Sequence, residues 1–343
     1  MTFVPGLELA GDFYRSAVRP LLDEHFPGLP HAAALLGFGS EILGFDTARS
    51  TDHNWGPRLQ IFVTDPDPAI PGMLADRLPA TWQGFPTAFT LTMEGDQVAR
   101  QRVEVVDPGA WLAGRLGFDP LSGVTVADWL ATPTQSLAEV TGGAVYHDGV
   151  GDLTAVRDAL AWYPDDVWRY VLAAQWRRIA QEHAFPGRCA EVGDELGRAV
   201  VTARLVRDVM RLCLLMHRRY PVYGKWLGTA FARLPVGDLT ERLTRAVTGP
   251  DWEDQLVAAY RAIAVLHNEL GLTEPLPTDV RPYHDRPYRV LDADGLARAL
   301  TARIDDPAIR ALPPTGAVDQ FLDSTDALGD ARLRRAAVER QLA

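Results

Sequence analysis

The hydrophobic pattern of this 343-residue chain changes character once, and that change limits the fold more than any other feature. Up to about residue 150, short apolar runs of strand length are interleaved with helical stretches. Beyond about Leu153 the strand pattern nearly vanishes, and apolar residues recur at the three-to-four spacing of an amphipathic helix. Mixed α and β structure followed by helices predicts an α+β protein in two parts, 1–150 and 151–343, the second ending in a C-terminal extension. The length suits two hydrophobic cores.

In the first part the spacing predicts a helix from about Leu7 to Glu24, ended by Pro27 and Pro30. A buried strand is expected in Ala32 to Gly39, a second in Arg58 to Val63, and a helix over Ile70 to Leu78. Two further strands fall in Thr87 to Met93 and Arg102 to Asp107. The last alternates, with Val103 and Val105 on one face and Glu104 on the other. In the second part, Asp165 and Asp166 after Pro164 open a helix with Trp168, Leu172, Trp176 and Ile179 in register. A longer one is expected from Cys189 to Tyr220, with Val192, Leu196, Val200, Leu205, Leu212 and Met216 on its apolar side. A third runs from Trp252 to Leu270. Short connections predict an antiparallel bundle. The Pro-rich stretch Thr273 to Pro287, which repeats Arg-Pro-Tyr, reads as a surface linker.

Charge excludes one class of function. Asp and Glu number 45 against 34 Lys and Arg, a net charge of −11. An acidic chain without a long basic run is unsuited to long nucleic acid, whose affinity comes mostly from phosphate neutralisation. The apolar runs are too short to span a bilayer, and the first residues lack a signal-peptide pattern, so a cytoplasmic protein is expected. The two cysteines, Cys189 and Cys213, form no metal spacing and read as free thiols. Among the 34 basic residues only Lys225 is lysine. A chain that otherwise uses arginine everywhere marks that position as one suited to a compact ammonium.

The segment that carries chemistry is Gly37 to Val63. A buried strand ends at Gly39-Ser40 and is expected to turn into a helix. Glycine lets backbone amides approach an anion, and a helix N-terminus adds positive potential. A loop then leads to Asp52 and Asn54, which point the same way in an extended segment, with His53 facing the other way. Two oxygen donors beside a phosphate cradle suit Mg²⁺ and a triphosphate, and Glu104 is placed to add a third oxygen.

These residues resemble the nucleotidyltransferase superfamily with the polymerase-beta-like fold, whose pattern is Gly-Ser, an Asp-x-Asp about a dozen residues later, and a carboxylate on a following strand. The run from Gly37, with Tyr163 to Gly197 and Tyr223 to Leu234, is also similar to a bacterial family known only as a domain of unknown function, DUF4037. The resemblance implies a nucleotidyltransferase-like mixed-sheet domain followed by an all-helical bundle. It implies metal ligands at Asp52, Asn54 and Glu104, with Asp52 and Glu104 catalytic, and a phosphate cradle at Gly39 and Ser40; Arg58 and Lys225, the single lysine at a helix start, are expected to neutralise the triphosphate. In the helical part it implies Glu191 or Asp194 as general base and Arg178 or Arg188 on phosphates. The implied reaction moves a nucleoside monophosphate from a nucleoside triphosphate to a hydroxyl, with Mg²⁺ and a small-molecule acceptor, and without membrane or long nucleic acid as partner. One departure stands out: Asn54 occupies the second acidic position. An amide oxygen ligates Mg²⁺ but brings no charge, so a catalytically degenerate nucleotide-binding protein is the alternative.

Overall fold

A computed structural model of the chain describes residues 3–52, 55–93 and 96–342, with the side chains of Asp52, 90–93 and 96–100 left aside. The architecture is α+β. Two compact units form, Met1–Val124 with Ser136–Ala161, and Thr125–Gln135 with Trp162–Ala343.

The first unit is built on a four-stranded mixed sheet. Its opening helical run is α1 (Gly6–Phe13), a π-helical segment (Tyr14–Val18) and α2 (Arg19–His25). Then follow β1 (Ala32–Leu35), a 3₁₀ turn (Ala48–Asp52), β2 (Leu59–Phe62) and α3 (Ala69–Arg77). A hairpin of β3 (Ala88–Met93) and β4 (Asp96–Gln101) leads to β5 (Val103–Val106) and α4 (Pro108–Leu116). After an excursion into the second unit, which starts α6 (Thr134–Thr141), come β6 (Ala144–Asp148) and α7 (Asp152–Ala159).

The sheet order is β5-β2-β1-β6. β1 is antiparallel to β2, with Ala33 opposite Ile61, and to β6, with Ala33 opposite His147. β2 and β5 are parallel, with Gln60 opposite Glu104. Every residue of β1 and β2 is buried, because both faces are covered and the strands need no polar side. Ala33, Leu59, Ile61 and Val103 pack against Phe13, Tyr14, Val18, Ile70 and Leu74. Ala32, Ala34, Leu36 and Phe62 pack against Trp111 and Leu153. Gln60 is the buried polar exception, and its Oε1 accepts from the Leu36 amide at 3.0 Å.

Among the described residues the second unit is helical except for one hairpin. It begins with α5 (Val126–Ala131), whose Thr125–Asp128 capping box starts the helix. Its long members are α8 (Asp165–Glu182), α10 (Glu195–Met216) and α13 (Trp252–Glu269), joined by α9 (Phe185–Glu191), α11 (Gly224–Ala232) and α12 (Leu239–Thr248). The hairpin is β7 (Arg281–Tyr283) with β8 (Arg286–Val290). Then come α14 (Ala293–Ala302), α15 (Pro307–Arg310), α16 (Val318–Phe321), α17 (Thr325–Gly329) and α18 (Ala331–Leu342). Among the described residues no helix is long and apolar enough to cross a membrane.

Three expectations are corrected here. The helix expected over Cys189 to Tyr220 is two helices. Gly193 adopts φ +70°, and the Asp194 carboxylate caps a fresh start at the Gly197 amide, 2.8 Å away. The expected apolar stripe also mixes two faces. At 100° per residue, Leu205, Leu212 and Met216 lie on one side of α10 and are buried, whereas Leu196 and Val200 lie on the opposite side and are 77% and 60% exposed. Val192 precedes the break and is exposed as well. Finally, the two Arg-Pro-Tyr repeats are not linker but the paired strands of the β7–β8 hairpin, turned by His284 at φ +55°.

Trp176 lies wholly buried in α8, and its indole donates to Nδ1 of His267 at 3.1 Å. His267 is 1% exposed, and burial pulls its pKa from 6.5 down to about 4. A folded pKa below the unfolded one means the unfolded chain binds the extra proton. The stability this contributes is complete above pH 6.5 and is lost as pH falls towards 4, by about 3 kcal/mol. Burial moves His183 the same way, also to about 4. Denaturant melts at pH 7 and pH 4.5 should therefore differ strongly, and His267→Gln should shrink the difference. Equal pH slopes for variant and parent would refute the assignment.

Candidate functional site

The loop after β1 is shaped by two glycines and the side chains behind them. Gly37 adopts φ +88° and Gly39 φ +136°, regions that disfavour a side chain. A Cβ at Gly39 would lie 2.5 Å from Glu41 Oε2 and 2.6 Å from Arg58 Nη2. A Cβ at Gly37 would meet the Arg115 guanidinium at 3.1 Å. The backbone here is thus pressed directly against charged groups, and Phe38 between the glycines stands 65% exposed.

The helix expected to open at Ser40 does not form. The chain makes one turn, closed by Phe45 N donating to Ser40 O at 2.8 Å and Gly44 N to Glu41 O at 3.0 Å. Its polar groups are met locally instead. Ser40 Oγ donates to Ser50 Oγ at 3.2 Å, and the Thr47 amide donates to the same Ser50 oxygen at 3.1 Å. The expected helix-terminal potential is therefore absent, and positive charge comes from side chains.

Three arginines supply it. Arg58 pairs with Glu41 at 2.8 Å, with side chains only 13% and 3% exposed. The same guanidinium donates to the Phe38 carbonyl, which ties the glycine loop to the start of β2. Arg102, just before β5, donates to the Trp55 carbonyl at 3.1 Å. Arg115 of α4 lies over the Phe38 ring, 4.0 Å from its centroid, with Glu139 4.0 Å away. Burial lowers the pKa of both Arg102 and Arg115, and the Arg58 charge lowers each further, because the cations repel one another. Arg102 and Arg115 nonetheless stay protonated. Glu104 is exposed on β5 and opposes the burial effect at Arg115.

Of the first-unit residues named from the sequence, Gly39, Ser40, Arg58 and Glu104 thus belong to one neighbourhood. Asp52 ends the 3₁₀ turn that follows the Ser40 loop, and its side chain is outside the described set. Asn54 and His53 lie outside the described residues. Among the described residues no three acidic, histidine or cysteine side chains converge as metal ligands. Sequence reasoning missed Glu41, Phe38, Arg102 and Arg115. Glu41 had a usable signal, an acidic residue directly after Gly-Ser, but Arg115 had none.

The second-unit candidates sit in separate settings. Arg178 of α8 pairs with Asp208 at 3.3 Å and donates to the Gln320 carbonyl at 2.6 Å, not to Glu182 one turn on. Arg188 pairs with Glu191 at 2.9 Å. Glu191 also accepts from the Tyr288 hydroxyl and pairs with Arg286 at 3.2 Å. The Tyr288 hydrogen bond first, then Arg188, holds that carboxyl below the usual range. Glu191 therefore pins the β7–β8 hairpin to α9. Asp194, the other base candidate, caps α10. Lys225 opens α11 with its ammonium 5.2 Å from the Trp226 ring centroid. Of the cysteines, Cys213 is buried, which pushes its thiol up to about 12, and Cys189 is half-buried.

Comparison with known proteins names no reaction. Residues 129–227 match the family described as a domain of unknown function, DUF4037. The resemblance noted in the sequence thus stands over that segment, which runs from α5 into α11. No curated protein matches. A solved structure described as a nucleotidyltransferase-like protein from Exiguobacterium sibiricum 255-15 is similar over 84% of this chain and 89% of its own, at 12% identity and a TM-score of 0.35. At that distance no residue is carried across.

Proposed function

We propose that the protein is a Mg²⁺-dependent nucleotidyltransferase that moves a nucleoside monophosphate from a nucleoside triphosphate to a hydroxyl of a small-molecule acceptor. The observation that carries the reading is the glycine loop after β1, pressed against Arg58 and Arg115 beside the exposed Glu104. Backbone without Cβ atoms and fixed cations make a surface for phosphate oxygens. A triphosphate laid along Gly39 and Ser40 would meet Arg115 and Arg102, with Arg58 held by Glu41 as the wall of the cradle. The acceptor hydroxyl oxygen attacks the α-phosphorus and gives its proton to solvent, the bond to the β-phosphate oxygen breaks, and pyrophosphate leaves.

Asp52, Asn54 and Glu104 would hold the metal. Their all-oxygen donor set suits a hard cation, which when bound neutralises charge on the triphosphate. Arg178, Arg188 and Lys225 have partners of their own in the second unit and are given no phosphate role in this reading. Glu191, held ionised in its ion-pair cluster, is not assigned the base. Asn54 supports a second reading, a protein that binds nucleotide without transferring it, because an amide leaves the metal one charge short.

Calorimetric titration with ATP, GTP, CTP and UTP, with and without Mg²⁺, tests the proposal. Micromolar binding that requires Mg²⁺ is expected, and Asp52→Ala should weaken it by about tenfold or more through loss of a charged ligand. Binding indifferent to Mg²⁺ or to Asp52→Ala would remove the metal assignment, and no binding would remove the cradle. Asn54→Asp separates the readings: in an enzyme tuned around the amide it leaves turnover level or lower, whereas in a degenerate copy it creates metal dependence.

A further inference from the structure

The second unit contains an arginine-lined cavity of about 410 Å³ that no expectation foresaw. Arg204, Arg207 and Arg211 fall within about 60° of one face of α10, the face shared with Leu196 and Val200. Arg178 joins them from α8, and the segment around α16 closes the far wall with Asp319 and Asp323.

The charges are arranged at two depths. At the floor, Arg211 and Asp319 pair at 2.9 Å, with side chains 8% and 7% exposed. Asp319 Oδ2 also takes the Thr134 hydroxyl and, at 3.2 Å, its amide. Asp319 Oδ1 is equally buried and has no hydrogen-bond partner among the described residues. The buried Tyr163 hydroxyl, which feels the Asp319 charge, also lacks a partner among the described residues, so this floor is sealed and the groups open to a ligand are those at the rim. At the rim the pairs are looser. Arg207 grips Asp323 with two bonds, 2.7 and 3.1 Å, yet the Asp323 side chain is 76% exposed. Arg204 reaches Glu182 at 3.0 Å and is 54% exposed. Exposed ion pairs of this kind contribute little and exchange readily. A phosphate offers the same two-oxygen fork with more charge.

We infer that this cavity binds a small phosphorylated polyol of sugar-phosphate size, the phosphate displacing Asp323 from Arg207 with Arg204 beside it, and the hydroxylated body filling the polar cavity behind the rim. The volume lies in the range of small-molecule sites. Arg178, Arg204, Arg207 and Arg211 all belong to the segment that matches the uncharacterised family. Each residue of the site lies in the second unit, and the inference does not rest on the nucleotide reading.

The test is calorimetric titration of the full chain, free of Mg²⁺ and nucleotide, with glucose 6-phosphate, ribose 5-phosphate, the two free sugars and inorganic phosphate. The sugar phosphates are expected to bind about tenfold or more tightly than inorganic phosphate, because the sugar fills the cavity behind the phosphate. Arg207→Ala should weaken binding by about tenfold, while Asp323→Ala should tighten it about threefold by removing the internal competitor. Both positions are rim residues, so thermal melts should show folded variants. A purely structural ion pair would not produce opposite effects from its two partners. No sugar-phosphate binding, equal affinity for inorganic phosphate, or affinities unchanged in both variants would overturn the inference.

Discussion

Gly143→Ala is expected to be the most damaging single substitution in the first unit. Gly143 lies between the end of α6 and the start of β6, at φ +67°. Its amide donates to the Ile42 carbonyl at 2.9 Å. A Cβ there would sit 2.0 Å from the Leu35 carbonyl oxygen. That neighbour is backbone of β1 and cannot rotate away, so β6 would have to leave the register in which Leu35 faces Ala144. Added to the left-handed strain, a cost of about 3–5 kcal/mol is expected. For a unit of this size that is a fall in Tm of about 10 °C. Gly151→Ala is the control. Gly151 has φ +90° but open space around its Cβ position, so it should lose only about 1 kcal/mol. Equal losses at the two positions would show that backbone strain, not the close approach to Leu35, sets the cost.

The contrast between those glycines shows what was legible in the sequence. Elements specified by their own residues were readable. The apolar run of β1, the alternation of β5, and Asp165 and Asp166 at the start of α8 each carry their signal within a few positions. The α+β class followed from these. Features decided by a distant partner were not readable. Glu41 follows the Gly-Ser pair and looks like a first-turn helix residue, but Arg58, 17 positions on, draws it inward. The segment then closes as a turn. The stripe on α10 failed differently. Counting apolar residues without their angles merged two faces, and the face that was misread carries the arginines of the cavity. In the candidate site, Gly39, Ser40 and Glu104 could be named from the sequence because the resemblance marks their positions, and Arg58 because it opens the strand that follows. Arg102 and Arg115 were not, since their relevance comes only from tertiary packing against the loop.

Arg58→Ala should damage both stability and ligand binding, and the two effects can be separated. Deleting the guanidinium leaves the Glu41 carboxylate, with a side chain 3% exposed, without its cation, and frees the Phe38 carbonyl. Breaking a buried pair from one side costs about 3–5 kcal/mol, much of it from the stranded charge. The double variant Arg58→Ala/Glu41→Ala removes that charge too and should recover a large part of the stability, a coupling a double-mutant cycle reads directly. Nucleotide affinity should not follow. If Arg58 forms the wall of the phosphate cradle, the double variant melts near the parent yet binds Mg²⁺-nucleotide about tenfold more weakly, the loss of one charge-assisted contact. Recovery of binding together with stability would reduce Arg58 to a fold-holding residue and leave Arg102 and Arg115 as the cations of the cradle. Arg115→Ala would then be the decisive variant. Its guanidinium rests on the exposed Phe38 ring and lies 4.0 Å from Glu139. A loss of nucleotide affinity there, with little change in melting, would place the ligand on the Phe38 side of the loop.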